Sequence, residues 1–206
     1  MDSLNEKFQQ LCLQFTKDGN LINDLWIEID KKYTGKGRYY HNLEHLNNMF
    51  SELEAVKNQI SDFNSLSFSI FYHDVIYDAS SKSNEEKSSD FAQVRLQKLA
   101  IDTHSIEKVC NQILATKAHQ KSNDHDTNYL LDTDLAVLGY GSHIYSAYTQ
   151  NIRKEYSIYP DFLYKLGRKK VLQHFLAAES IFKTDYFKEK YEKQARENIR
   201  MEINLL

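Results

Sequence analysis

The stretch "FYHDVIYD", residues 71–78, sets His73 and Asp74 side by side at the end of an apolar run. Phe68, Ile70, Phe71, Val75 and Ile76 surround the pair, so the pattern directs two ionisable groups into the core. Burying a carboxylate beside an imidazole costs free energy unless something offsets it. A bound cation would, and imidazole nitrogens with carboxylate oxygens are donors suited to zinc, manganese or iron. With eight histidines and 29 acidic residues in the chain, spacing has to sort the remaining donors. His41 and His45 stand four apart at the start of a predicted helix, which puts both on one face. His73 and Asp74 fall about 100° apart around a helix, so one ion over the gap can touch both. The stretch "LLDTDLAVLG" offers Asp132 and Asp134 inside another apolar run. Asp132 also suits a helix cap, where aspartate is favoured.

Anion-binding groups accompany these donors. Arg38, Arg153 and Arg168 are candidate substrate-binding clamps, because a guanidinium matches phosphate oxygens in pairs. Arg153 and Glu155 equally suit structural ion pairs between helices. His119 ends a predicted helix and opens a polar loop, a place from which to approach a phosphate or a second metal. A histidine there also suits the negative end of the helix dipole. The run "KEKYEKQARENIR" reads as a solvated helix face.

The elements that must position these groups are helical nearly throughout. Only Pro160 and six glycines interrupt the chain. Apolar residues recur at helical spacing: Leu4, Phe8, Leu11 and Phe15, then Leu21, Leu25, Trp26, Ile29 and Tyr33. In "YHNLEHLNNMFSELEAV", Leu46, Met49, Phe50, Leu53 and Val56 form one stripe. "FNSLSFSIFYHD" reads as a short, deeply buried helix. Ser83 and Glu86 resemble a capping box that opens a helix carrying Phe91, Val94 and Leu99 inward. Ile106, Val109, Ile113 and Leu114 continue the pattern. Gly139 is expected as a left-handed cap after "NYLLDTDLAVL". A helix is expected to run on to Pro160, followed by two long amphipathic helices. No strand, linker or repeat is evident, so the expectation is one all-α domain over residues 1–206.

Bulk properties exclude other classes. The chain of 206 residues is 41% hydrophobic and 27% charged, ordinary for a globular protein with one large core. A net charge of −3 without a basic block argues against general nucleic-acid binding. Cys12 and Cys110 lack paired spacing and read as reduced thiols. No signal peptide opens the chain and no apolar run nears spanning length, so a cytoplasmic protein without a membrane partner is expected.

The ordered set of a histidine, a His-Asp pair and a later aspartate, on an all-α chain, resembles the HD superfamily of metal-dependent phosphohydrolases. More closely, "RYYHNLEHL", "FYHDVIYD", "SNEEKS", "LATKAH", "LDTDLAVLG", "IRKEY" and "ARENI" look like a bacterial family of HD-type phosphohydrolases, over roughly residues 20 to 200. This resemblance implies an HD-type helical bundle that cleaves a phosphate ester or anhydride of a nucleotide or similar small phosphorylated compound. It implies a divalent transition metal (manganese, iron, nickel, cobalt or zinc) held by His45, His73, Asp74 and Asp134. Asp134 is preferred to Asp132 because "DLAVL" matches the family's last motif, which leaves Asp132 a possible place near the ligands. Glu85, in "SNEEKS", is placed to bind water or a second ion, or to stabilise the first turn of its helix.

"YHNLEH" is similar to a stretch of the cyclic-nucleotide phosphodiesterases, distant members of the same superfamily. That similarity implies His45 as ligand and His41 as the acid that protonates the leaving oxygen, with Asp74 orienting the nucleophile. The phosphodiesterase pattern has a further histidine where this chain has Tyr77 and Asp78, which argues against a second metal site of that kind. A non-catalytic metal- or nucleotide-binding regulatory module is the alternative. His41 discriminates, since a purely structural site does not need it.

Overall fold

Short polar side chains start most of the helices by accepting bonds from free amide groups. The structure, a computed structural model, describes residues 3–206. Helix α1 (Leu4–Cys12) opens with a capping box between Ser3 and Glu6. Asp18, Asn42, Asp62, Asp102 and Asp124 cap α2 (Gly19–Tyr33), α3 (Leu43–Ala55), α4 (Phe63–Tyr72), α6 (Thr103–Ala115) and α7 (His125–Leu135). Helix α5 (Asn84–Lys98) follows Ser83 without a side-chain cap, because the Ser83 hydroxyl pairs with Ser81 and Glu86 reaches Lys117. The expected capping box is therefore not formed. Helices α8 (Ser142–Glu155), α9 (Asp161–Ala177) and α10 (Asp185–Leu205) complete an all-helical chain, with no strand among the described residues. None of the described helices is long and apolar enough to cross a membrane.

Helix α4 is the axis of the packing. Every residue from Ser65 to Tyr72 is buried, and α1, α3, α5, α6 and α7 pack around it. Phe71 meets Phe8 edge-on at 5.1 Å and Phe50 at 4.9 Å. Its serines bond inward, Ser69 to the Gln112 side chain at 2.6 Å. Nearly all the buried apolar residues form one cluster running from Leu4 to Ile199, with Leu131 and Ile152 outside it.

Some local expectations differ from the structure. Val94 and Leu114 lie at the surface. The inward stripe of α5 is Ser88, Ala92 and Leu96, and small residues there let α6 approach closely. Gly139 is not left-handed, since Gly37 alone among the described glycines has positive φ. Glycine is needed at 139 because a Cβ there would overlap the Cβ of Tyr191 on α10. Helix α8 stops at Glu155, five residues before Pro160. Helix α9 buries Leu172 fully, while Phe162, Leu163, Leu166 and Val171 on it are exposed.

Candidate metal centre

Three helix ends deliver the donors. Asn42 caps α3, its carbonyl oxygen accepting from the amides of Glu44 (2.9 Å) and His45 (3.3 Å), so His45 sits buried in the first turn. His41 precedes the cap and is off the helix, contrary to the expected shared face. The two rings still lie 5.9 Å apart, with the Tyr40 ring 4.9 Å from each. Helix α4 ends at Tyr72, which makes His73 its C-cap rather than an interior residue. The Nδ1–H of His73 donates to the Ile70 carbonyl at 3.0 Å, which fixes the tautomer and frees Nε2. Asp74 follows, with its amide donating to the Tyr33 hydroxyl at 3.2 Å.

These groups converge. His73 Nε2 lies 3.2 Å from Asp74 Oδ2 and 3.3 Å from His45 Nε2. One donor atom each from His45, His73 and Asp74 falls within 4.8 Å of the others, a cluster able to hold a metal ion. Asp134, in the last turn of α7, places Oδ1 at 3.1 Å from His45 Nε2 and 3.8 Å from His73 Nε2. Its other oxygen accepts from His119 Nε2 at 2.8 Å. His119 follows α6 in a left-handed conformation (φ 49°) that turns it back toward α7.

Asp132, two residues earlier, points away, because two helical residues are about 200° apart. Its carboxylate accepts from the amides of Lys183 (2.7 Å) and Thr184 (2.8 Å) and from the Thr184 hydroxyl (2.7 Å), anchoring the turn before α10.

The residue that spacing did not single out for this site is Glu155. Buried at the end of α8, its Oε1 accepts from the backbone amides of Tyr39, Tyr40 and His41 at 2.8, 2.7 and 3.0 Å. Its Oε2 accepts from His41 Nδ1 at 2.6 Å and from the Tyr77 hydroxyl at 3.0 Å. The Tyr77 ring stacks on the His41 ring at 4.2 Å. His41 is thereby held with Nε2 turned toward Asp74, 3.9 Å from Oδ2. A signal was present in the sequence: Tyr145, Tyr148, Ile152 and Glu155 share one helical register, so an acid continues an apolar stripe.

Charge follows from these neighbours. Burial works against a charged His73, yet Asp74 and Asp134 outweigh it and raise its pKa to about 9. Burial dominates at His45 and lowers it. Burial opposes ionisation of Asp74 and Asp134, but His73 and His41 hold the first low, and bonds from His119 and His45 the second. His41 is raised despite its burial, by Asp74 and Glu155. Glu155 is lowered despite its burial, chiefly by His41.

The other expected contacts are used elsewhere. Arg38 donates to the carbonyls of His41 (3.0 Å), Asp74 (2.7 Å) and Val75 (3.1 Å), tying the loop before α3 to the end of α4. Arg153 is committed to Asp161 and to the carbonyls of Tyr156 and Tyr159. Arg168 pairs with Glu202 at 2.7 Å and reaches the Tyr148 hydroxyl. All three guanidinium groups spend donors on protein acceptors, so in this structure they tie loops and helices together. Glu85 lies in the first turn of α5, where its charge acts on Lys117. No protein-family model, curated protein or solved structure matches the chain.

Proposed function

We propose that this protein is a metal-dependent phosphohydrolase of small phosphorylated compounds, nucleotides among them. The observation that carries the reading is a histidine held beside a cluster of metal donors without belonging to it. His45, His73, Asp74 and Asp134 would hold the metal. Donors about 2.1 Å from one centre, at 90–110° to each other, stand roughly 3.0–3.4 Å apart. The separations of 3.1, 3.2 and 3.3 Å fit, and 3.8 Å is a wider angle. Two neutral imidazoles with two carboxylates leave a charge that a divalent cation neutralises, and the mixed nitrogen and oxygen set favours manganese, iron, nickel, cobalt or zinc over magnesium.

When bound, such a metal supplies Lewis acidity and an acidified water. The chain's own residues do the rest. Asp74 presents Oδ2 between His73 and His41, where it orients the attacking water. His41 keeps its proton at Nε2 because Glu155 takes the bond from Nδ1, and it donates that proton to the departing oxygen. The Tyr77 ring and the Glu155 bond stop the imidazole from turning away.

The test loads purified protein with manganese, cobalt, nickel, zinc or magnesium and measures release from a panel of nucleotides and phosphate esters. Turnover with a transition metal is expected. His41→Ala should keep the metal and slow turnover by about 10²–10⁴-fold, with a smaller loss for a nitrophenyl ester whose leaving group departs unprotonated. Stoichiometric metal without turnover on any ester would assign a binding module instead. Failure to retain any metal would remove both readings.

A further inference from the structure

Helix α9 leaves one face bare. Leu172 is buried, Tyr164 and Phe175 are half-buried, and Arg168 pairs with Glu202 on α10. At 100° per residue the opposite face carries Phe162, Leu163 and Leu166, and then Lys169 and Lys170. These apolar side chains are 65%, 46% and 60% exposed, and Ile158 in the preceding turn is 63% exposed. Lys165 flanks them. Beneath lie three half-buried tyrosines, Tyr156 stacking with Tyr159 and packing against Tyr164.

Charge sets this region apart from the remainder of the molecule. Residues 142–177 contain six Lys or Arg against two acids, in a chain of net charge −3. Neither acid opposes the lysines: Glu155 is buried on His41, and Asp161 is taken by Arg153. We propose that this face seats on an anionic phospholipid bilayer. Ile158, Phe162, Leu163 and Leu166 enter the boundary between headgroups and acyl chains, and Lys165, Lys169 and Lys170 meet the lipid phosphates and carboxylates.

Two observations choose this occupant. Ile158, Phe162 and Leu166, each 60–65% exposed, offer apolar surface for insertion among headgroups rather than a groove for a partner helix. A second copy docked by a two-fold axis would bring like lysines together. The expectation of no membrane partner rested on the want of a spanning run, which a surface-lying helix does not need. The proposal is independent of the metal centre.

The test spins the full-length protein with vesicles of phosphatidylcholine and phosphatidylserine at roughly two to one, and with phosphatidylcholine alone. Pelleting with the anionic vesicles only is expected. It should reverse in salt, because the screening length falls from about 10 Å at 0.1 M to about 3 Å at 1 M. The double variant Phe162→Ser/Leu166→Ser and the triple variant Lys165→Glu/Lys169→Glu/Lys170→Glu should each lower partitioning at least about tenfold. All five positions are exposed, and circular dichroism confirms that each variant is folded.

Protein left in the supernatant, or equal binding by the charge-reversed variant, would overturn the proposal. A dimer in sedimentation equilibrium that Phe162→Ser/Leu166→Ser dissolves, without vesicle binding, would assign the face to a second copy. Binding to polyglutamate but not to vesicles would assign it to an acidic protein.

Discussion

Replacing Glu155 by glutamine tests the clamp on His41 directly. The glutamine carbonyl keeps the place of Oε1, so the amides of Tyr39, Tyr40 and His41 retain their acceptor. The amide nitrogen takes the place of Oε2 and meets two groups that were donating to a carboxylate, His41 Nδ1 and the Tyr77 hydroxyl. A hydrogen bond to a charged group contributes about 1.5–3 kcal/mol. The Tyr77 hydroxyl can rotate and accept, which recovers part of one bond, so the expected loss is about 2–4 kcal/mol. That is a large fraction of the roughly 5–15 kcal/mol that stabilises a typical domain. Urea unfolding of chelator-treated protein near neutral pH should read this loss as a lower midpoint at unchanged slope.

The sign with pH is fixed by the depressed Glu155 pKa. Its contribution is complete above the ordinary value of 4.5 and is lost as pH falls through the folded-state value. A protonated carboxyl is close to an amide in charge and shape, so the gap between wild type and Glu155→Gln should narrow in acid. In parallel, the imidazole of His41, raised in the wild type, should titrate at lower pH in the variant by NMR. A gap below about 0.5 kcal/mol near neutrality, with an unmoved His41 titration, would refute the clamp.

Gly139→Ala should lower stability by about 1–3 kcal/mol, because the Tyr191 Cβ it would meet moves with no rotamer. A wild-type melting temperature would show that α10 yields instead. Asp132→Ala should strand three donors at residues 183 and 184, costing at least about 2 kcal/mol, yet leave metal content per folded molecule unchanged. Asp134→Ala should do the opposite and lose metal on dialysis against a weak chelator, and equal metal loss in both variants would show that the two aspartates were assigned wrongly.

Much of the helical order was legible because it depends on local spacing and short polar caps. The apolar stripe from Leu46 to Val56 is buried throughout, and the "FNSLSFSIFY" helix lies at the centre of the packing. That His73 and Asp74 need partners was legible from two ionisable residues in an apolar run, whereas the choice of His45 over His41 came from the resemblance, and the structure brings His45, His73 and Asp74 together. What escaped depends on distances that spacing does not encode. Which way an arginine points is set by where carbonyls gather, and Arg38 meets three of them only once α4 has ended beside its loop. Glu155 looked like half of a structural ion pair between helices because its partner amides lie more than a hundred residues earlier. Gly139 was read from local turn chemistry, whereas its need comes from contact with a helix fifty residues on.

The reach of Glu155 sets a clock on synthesis. A nascent chain ending before residue 155 already contains His45, His73, Asp74 and Asp134, but the amides of Tyr39, Tyr40 and His41 lack their acceptor and His41 lacks its holder. Residues 138 and 140 wait longer still, for Asn198, whose side chain donates to the carbonyls of Leu138 and Tyr140. The clustered donors are thus translated before Glu155, the residue that holds His41. On the proposed reading, a chain that already has all four metal donors still lacks the contact that orients His41 until residue 155 is in place, and the carbonyls of Leu138 and Tyr140 gain their donor only once α10 docks.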